Sequence, residues 1–283
     1  MHAQLVATAL ATTVDRIRIR QSDTDAARYD SGAWGSAGIV VAGKALFTAA
    51  QELARLMVER AEQLVARRGL GVGDPGGGTV LTGGAVRLGA MRAGGTHAGG
   101  MIVTAAELLA AGPLVAEGSH DGTPRSVAFN VHAFRVAVCA ATGEVRILQS
   151  VQAVDAGTVL NPEQLRGQVE GGTAQAIGSA LYEELRLDDA GRVTTAAFRN
   201  YHVPQVADVP VTEVYTAATH DALGPLGAKS MSEAPYNPVA PALANAIRDA
   251  LGVRPYELPM SRERLWRLAA APTPAAPTPA APS

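Results

Sequence analysis

Apolar residues recur at helical spacing in AQLVATALATTVDRI (residues 3–17), and RIRIRQ (16–21) then alternates strictly, which predicts a helix followed by a half-buried strand. SDTDAARYDSGAWGSAG (22–38) is small and polar and reads as a long loop. From there a helical pattern runs over residues 39–68, with small residues early and an amphipathic second half, LARLMVERAEQLVARR. GVGDPGGG (71–78) stops it. TVLTG (79–83) and AVRLG (85–89) predict short strands, and TAAELLAAG (104–112) a small helix capped by Thr104. SVAFNVHAFRVAVCAATGEVRILQSVQAVD (126–155) holds two β-rich runs joined by ATGE, an antiparallel pair. A helix begins at Pro162, a second hairpin is expected around DDAG (188–191), and VTEVYTA (211–217) reads as a strand. The run PVAPALANAIRDALG (238–252) closes the pattern as a last helix.

Hairpins interleaved with helices, without a repeating βαβ rhythm, predict an α+β fold of mixed and antiparallel sheets packed with helices. Residues 1–270 are expected to form the folded region, with a division into two subdomains near 70–126. The tail APTPAAPTPAAPS (271–283) is low in complexity and is expected to be extended and solvated.

A hydrophobic fraction of 47% is enough for a real core, so the chain reads as globular. A net charge of −2, with acids and bases evenly interspersed, gives no electrostatic case for nucleic acid or an anionic membrane. The start lacks a basic signal region and no apolar run approaches a membrane span, so the expected compartment is the cytoplasm. Cys139 is the single cysteine, which excludes an internal disulfide, and FRVAVCAA predicts it as a small buried hydrophobe. No Cys/His spacing resembles a metal site, so no residue is assigned as a metal ligand. His132, in an apolar strand, is expected to be a satisfied core group.

Serine-hydrolase, zinc-protease, Walker and dinucleotide-fold motifs are all missing, which leaves three loops. GAWGSAG (32–38) places small residues and a hydroxyl before a long helix, where free amides suit a phosphate; an ordinary helix start with Ser36 as N-cap is the alternative. RGQVEGGTAQ (166–175) sets Gln168 and Gln175 seven residues apart on nearly one face, with glycines between them. Such amides can read a flat polar ligand, or the glycines can simply let the helix pack closely on a sheet. GPLGAKSMSEAPY (224–236) encloses Glu233 between bends and a proline. A carboxylate partly stripped of water there is a stronger base, and a surface glutamate is the plain alternative.

Taken together and in order, these stretches resemble the molybdenum hydroxylases, the family of xanthine dehydrogenase, aldehyde oxidoreductase and carbon monoxide dehydrogenase large subunits. DTDAARYDSGAWGSAGIVVAGKAL (23–46) is similar to the segment before one of that family's molybdenum-domain helices. AVDAGTVLNPEQLRGQVEGGTAQAIGSALYEEL (153–185) is similar to its pattern DAG-x-x-xNP, GQ-x-EGG, Q-x-xG-x-AL-x-EE, and GPLGAKSMSEAPYNPVAPALANAI (224–247) to the segment of its active-site glutamate. The likeness covers residues 2–268, loosely over 70–126, and corresponds to the second molybdenum-cofactor-binding domain of the large subunit.

The resemblance implies that Gly35, Ser36, Ala37 and Gly38 contact a molybdopterin cofactor, in its cytosine dinucleotide form, through backbone and hydroxyl groups. It implies that Gln168 hydrogen-bonds that cofactor and that Glu233 is the base beside the molybdenum. The substrate would be an aldehyde, an N-heterocycle or an aromatic acyl compound, oxidised with oxygen from water. Ser232 stands where the family usually has glycine.

Only the later part of the family's molybdenum-binding region is matched, MHAQLVATALA resembling the segment just past its glutamine-glycine cofactor loop. The implied partners are therefore a second molybdopterin-binding chain, an iron–sulfur subunit and an FAD subunit. A non-catalytic remnant or scaffold module of the same family is the competing reading.

Overall fold

A computed structural model describes residues 1–25, 32–72, 78–91 and 97–270. The chain divides into two compact units: Met1–Val127 with His220–Ser230, and Ala128–Thr219 with Met231 onward.

In the first unit, helix α1 (His2–Ala9) precedes a π-helical turn, Gly38–Gly43, that runs directly into α2 (Lys44–Arg67). Gly43 sits at the change of pitch, where a Cβ would stand 3.1 Å from Ile39 and 3.2 Å from Leu5, so α1 packs close against this start. The helix ends at Arg67, and Gly69 takes a left-handed φ of 73°. Most of GVGDPGGG lies outside the described residues. Strands β1 (Gly71–Val72), β2 (Val80–Thr82), β3 (Ala85–Met91) and β4 (His97–Val103) form an antiparallel sheet. In it β3 pairs with all three others. Met57, Ala61 and Val65 of α2 pack on Val86, Leu88 and Val103 of the sheet. Leu108 of α3 (Ala105–Leu109) closes this core, and Thr104 caps α3 with a full capping box to Glu107.

The expected strand at RIRIRQ does not form. Residues 17–21 carry no sheet assignment, and Ile17 is extended at φ −105° and ψ 120° without a partner strand among the described residues. Alternation secures extended backbone, but only a neighbour's amides and carbonyls make it a strand.

In the second unit, β5 (Asn130–Cys139) and β6 (Glu144–Val154) pair antiparallel, and β7 (Thr212–Thr216) joins β6 in parallel. The crossover from β6 to β7 contains α4 (Pro162–Leu181). Asn161 caps α4, its side chain accepting from the Gln164 amide, and Pro162 follows at the first helical position. The sheet's apolar face and α4 pack against α5 (Val239–Leu251) and α6 (Arg262–Ala270) through Ile177, Leu181, Leu243, Ile247 and Leu265. Around DDAG there is one antiparallel bridge, Leu187 to Val193, organised by the Asp188 carboxylate accepting from the amides of Ala190 and Arg192. It is a tight turn rather than a full hairpin.

Cys139 is exposed, contrary to the expectation of burial. It is the last residue of β5 and falls on the outward side of the strand's alternation, a parity that its apolar neighbours conceal. Hydrogen bonding to the Thr142 side chain, and to the backbone of residues 141 and 142, draws its thiol below the ordinary range.

His132 is buried, as expected, but only half satisfied. Its Nε2 pairs with Ser150 Oγ at 2.9 Å, Ser150 Oγ pairs with Thr212 Oγ1 at 2.9 Å, and Nδ1 finds no hydrogen-bond partner. Burial lowers the imidazole from 6.5 to about 4. The folded chain thus resists a proton that the unfolded chain accepts, so stability falls as pH drops through the window from 6.5 towards 4 and is regained as pH rises. Over that window the loss amounts to about 3 kcal/mol. His132→Gln is expected to flatten this acid slope in urea unfolding followed against pH; an unchanged slope would show that another group governs it.

Candidate active site

In the second unit, α4 turns one face to the hydrophobic core through Val169, Thr173, Ala176 and Ile177. Another face presents Gly167, Gln168, Gly171 and Gln175 to an open pocket of about 580 Å³, whose other wall is Ser232, Glu233, Tyr236 and Asn237. A Cβ added at Gly167 or Gly171 would meet nothing within 4 Å. These glycines therefore keep that wall low and leave helix backbone open to whatever occupies the space. Gly172 differs, since its Cβ would stand 3.2 Å from that of Pro235, and here the missing side chain lets α4 approach the 231–237 loop.

That loop is two linked turns, with the Ala234 amide donating to the Met231 carbonyl and the Tyr236 amide to the Glu233 carbonyl, both at 3.1 Å. Gln168 Nε2 donates to the Ser232 carbonyl at 2.9 Å. The two residues singled out in separate stretches of sequence, Gln168 and Glu233, therefore line one pocket and are linked through Ser232. Gln175 lines the same pocket. Glu233 is exposed rather than enclosed, and the wall opposite it carries Gln168 and Gln175 among glycines. Ser232 contributes its backbone carbonyl to this link.

In the first unit, Gly35 and Ser36 take consecutive left-handed conformations, φ 58° and 62°. Ser36 is not the N-cap that the sequence suggested as the plain alternative: its backbone is not extended, and the residue preceding the π-turn is Ala37. Ser36 is buried, and its carbonyl accepts from Ser230 Oγ at 2.6 Å, while the Gly35 carbonyl lies 3.4 Å from the same hydroxyl. Arg125 brings its guanidinium to 3.4 Å from where a Gly35 Cβ would stand. The two carbonyls thus converge on one hydroxyl, and the arginine alongside can pair with an anionic group. Gly224 holds the neighbouring turn: its Cβ would fall 1.7 Å from the Ala228 carbonyl oxygen.

Sequence reasoning missed Arg125, Ser230, Tyr236 and Asn237. It also missed Gln152, a large polar residue on the side of β6 that buries Ser150 and Val154. Among the described residues no group of three or more His, Cys, Asp or Glu side chains could hold a metal ion, and no helix is long and apolar enough to cross a membrane.

Comparison with known proteins gives this arrangement a context. The family model of the molybdopterin cofactor-binding domain matches residues 1–210. The protein named "Probable hypoxanthine oxidase XdhD" from Escherichia coli K12 is 32% identical over 252 residues, covering 88% of this chain and 25% of its own length. The carbon monoxide dehydrogenase large chain of Afipia carboxidovorans is 28% identical over 94% of this chain and 33% of its own. Among solved structures, quinoline 2-oxidoreductase from Pseudomonas putida 86 superposes with a TM-score of 0.79 at 27% identity, covering 95% of this chain and 34% of that one. The chain thus spans about a quarter to a third of the length of these relatives. The chain belongs to the molybdopterin cofactor-binding domain family of the molybdenum hydroxylases.

Proposed function

We propose that this chain supplies the base-bearing part of a molybdenum hydroxylase and acts within an assembly whose other chains complete the cofactor site. The observation that carries this reading is the single pocket lined by Gln168 and Glu233, with Gly167 and Gly171 leaving its wall open. The residues fit the cofactor: a low glycine wall accepts a flat heterocycle, and the amides of Gln168 and Gln175 match its polar edge. In the first unit, residues 35–38 offer backbone and hydroxyl groups to the dinucleotide part, with Arg125 as counter-charge. The cytosine dinucleotide form is the one proposed.

When bound, the molybdenum cofactor supplies the oxidising centre for hydroxylation with water-derived oxygen. Glu233, on the pocket wall, would be the proton acceptor, taking the proton at its carboxylate. Gln168, bonded to the Ser232 carbonyl, fixes the main chain next to Glu233. Tyr236 and Asn237 border the same space. Aldehydes, N-heterocycles and aromatic acyl compounds are the substrate classes proposed. The relatives' names include hypoxanthine oxidase and carbon monoxide dehydrogenase, so the family's scaffold serves several small carbon compounds. A second molybdopterin-binding chain, an iron–sulfur subunit and an FAD subunit are the proposed partners. Relatives named as the gamma subunit of a complex and as a large chain accord with this.

The test is co-expression with the genomic neighbours, followed by metal and nucleotide analysis. The wild type is expected to purify with molybdenum near one per assembly. Gly171→Leu is expected to lose most of that molybdenum while its melting temperature holds or rises, since leucine is the better helix former by about 1 kcal/mol and the added side chain projects into open space. A molybdenum-free wild-type complex, or a Gly171→Leu complex with full metal, would overturn the reading.

A further inference from the structure

We propose that Gln152 is a positioning residue for Glu233, holding the loop on the far side of that carboxylate from Gln168. The inference rests on Glu233 acting as the base and extends it to a residue remote in sequence.

Gln152 lies on β6 and is fully buried, at 0% exposure. Two residues along the same strand, with the same parity, stands Val154, a fully buried apolar residue. A primary amide in such a place costs free energy unless both its ends are paired. Both are. Nε2 donates to the Pro235 carbonyl at 2.9 Å, and Oε1 accepts from Thr173 Oγ1 of α4 at 3.3 Å.

The geometry is that of a clamp. Gln168 holds the carbonyl immediately before Glu233, and Gln152 holds the carbonyl two residues after it. Between these points the main chain is closed by the Ala234–Met231 and Tyr236–Glu233 turn bonds. Pro235 is at the same time pressed against Gly172 of α4, the residue next to Thr173. Gln152 thereby ties β6, α4 and the loop into one rigid corner. Glu233 itself is exposed, and its main chain is held at the carbonyls on either side of it. A base must sit within hydrogen-bond reach of the proton it takes, and a displacement of about 1 Å can cost on the order of a hundredfold in rate. Across the strand pair, the residue opposite Gln152 is His132. No charged group among its bonded partners competes for the amide.

Gln152→Met keeps volume and apolar fit but removes donor and acceptor. In the assembled, cofactor-loaded enzyme we expect kcat to fall roughly tenfold to a hundredfold while KM changes by less than about twofold, since the contact acts on the reacting geometry and not on uniform binding. Molybdenum content should be unchanged. In the full chain alone, amide hydrogen exchange over residues 231–237 should quicken. Thr173→Val, which frees only one end of the amide, should quicken exchange less and lower kcat only severalfold, and it decides the matter if Gln152→Met does not fold.

Placed in a Glu233→Gln background, Gln152→Met should cost nothing further. Unchanged kcat, with or without faster exchange, would overturn the proposal, as would a full additional loss in that background. Should Glu233→Gln itself retain turnover, the base assignment has failed, and the exchange result would show separately whether the clamp exists.

Discussion

Glu233→Gln, assembled with its partner chains, is expected to lose turnover by at least about a hundredfold, the contribution typical of a positioned general base, while keeping its molybdenum and nucleotide. The separation of the two readouts follows from how the loop is held. Gln168 bonds the Ser232 carbonyl and Gln152 the Pro235 carbonyl, so neither anchor involves the carboxylate. Glutamine matches the shape and retains hydrogen-bonding capacity, yet it cannot take up a proton at working pH. Steady-state rates and metal analysis on the same preparation check this. Normal turnover would remove Glu233 from the chemistry, and lost molybdenum would recast it as a cofactor anchor.

The second large effect is on stability. Gly143→Ala is expected to destabilise the second unit by about 2–5 kcal/mol, the sum of a left-handed backbone penalty and an overpacking penalty. Gly143 closes the turn between β5 and β6 at φ 70°, its amide donating to the Cys139 carbonyl at 2.7 Å. A Cβ there would fall 1.9 Å from the Arg262 carbonyl oxygen and 2.8 Å from the Trp266 amide nitrogen, so α6 would have to move. Set against a typical total of about 5–15 kcal/mol, this is a large fraction. Gly191 is the control: it has φ 75° but open space around it, and its alanine variant should lose only about 1 kcal/mol. Urea unfolding of the two variants side by side tests the difference. Equal losses would mean that α6 does not bear on the turn.

Much of the fold was legible in the chain because its signals are local. The period of α2, the Thr104 cap, the ATGE turn and Pro162 at a helix start each need only a few neighbouring residues, and the structure has each in place. The failures share a cause, which is dependence on distant partners. RIRIRQ has a strand's alternation but no strand to pair with. HAGGMIV has the glycines of a poor strand former, yet becomes β4 because β3 offers an edge. α6, rich in charge, went unread, though its single fully buried residue, Leu265, seats it in the core. Gln168 and Glu233, which line one pocket, stood out in the sequence, whereas Gln152 did not. Its bond to Pro235 spans 83 residues, and no spacing rule reaches that far.

The first unit is discontinuous: it recruits His220–Ser230, a segment that comes after more than ninety residues of the second. A chain leaving the ribosome must therefore produce most of the second unit before the first can be finished. Cutting the gene at residue 127 would deprive the first unit of the strip whose Ser230 hydroxyl bonds the Ser36 carbonyl. The two halves cannot be shuffled as interchangeable modules, and the order of synthesis makes the loop at residues 35–38 among the last features to settle.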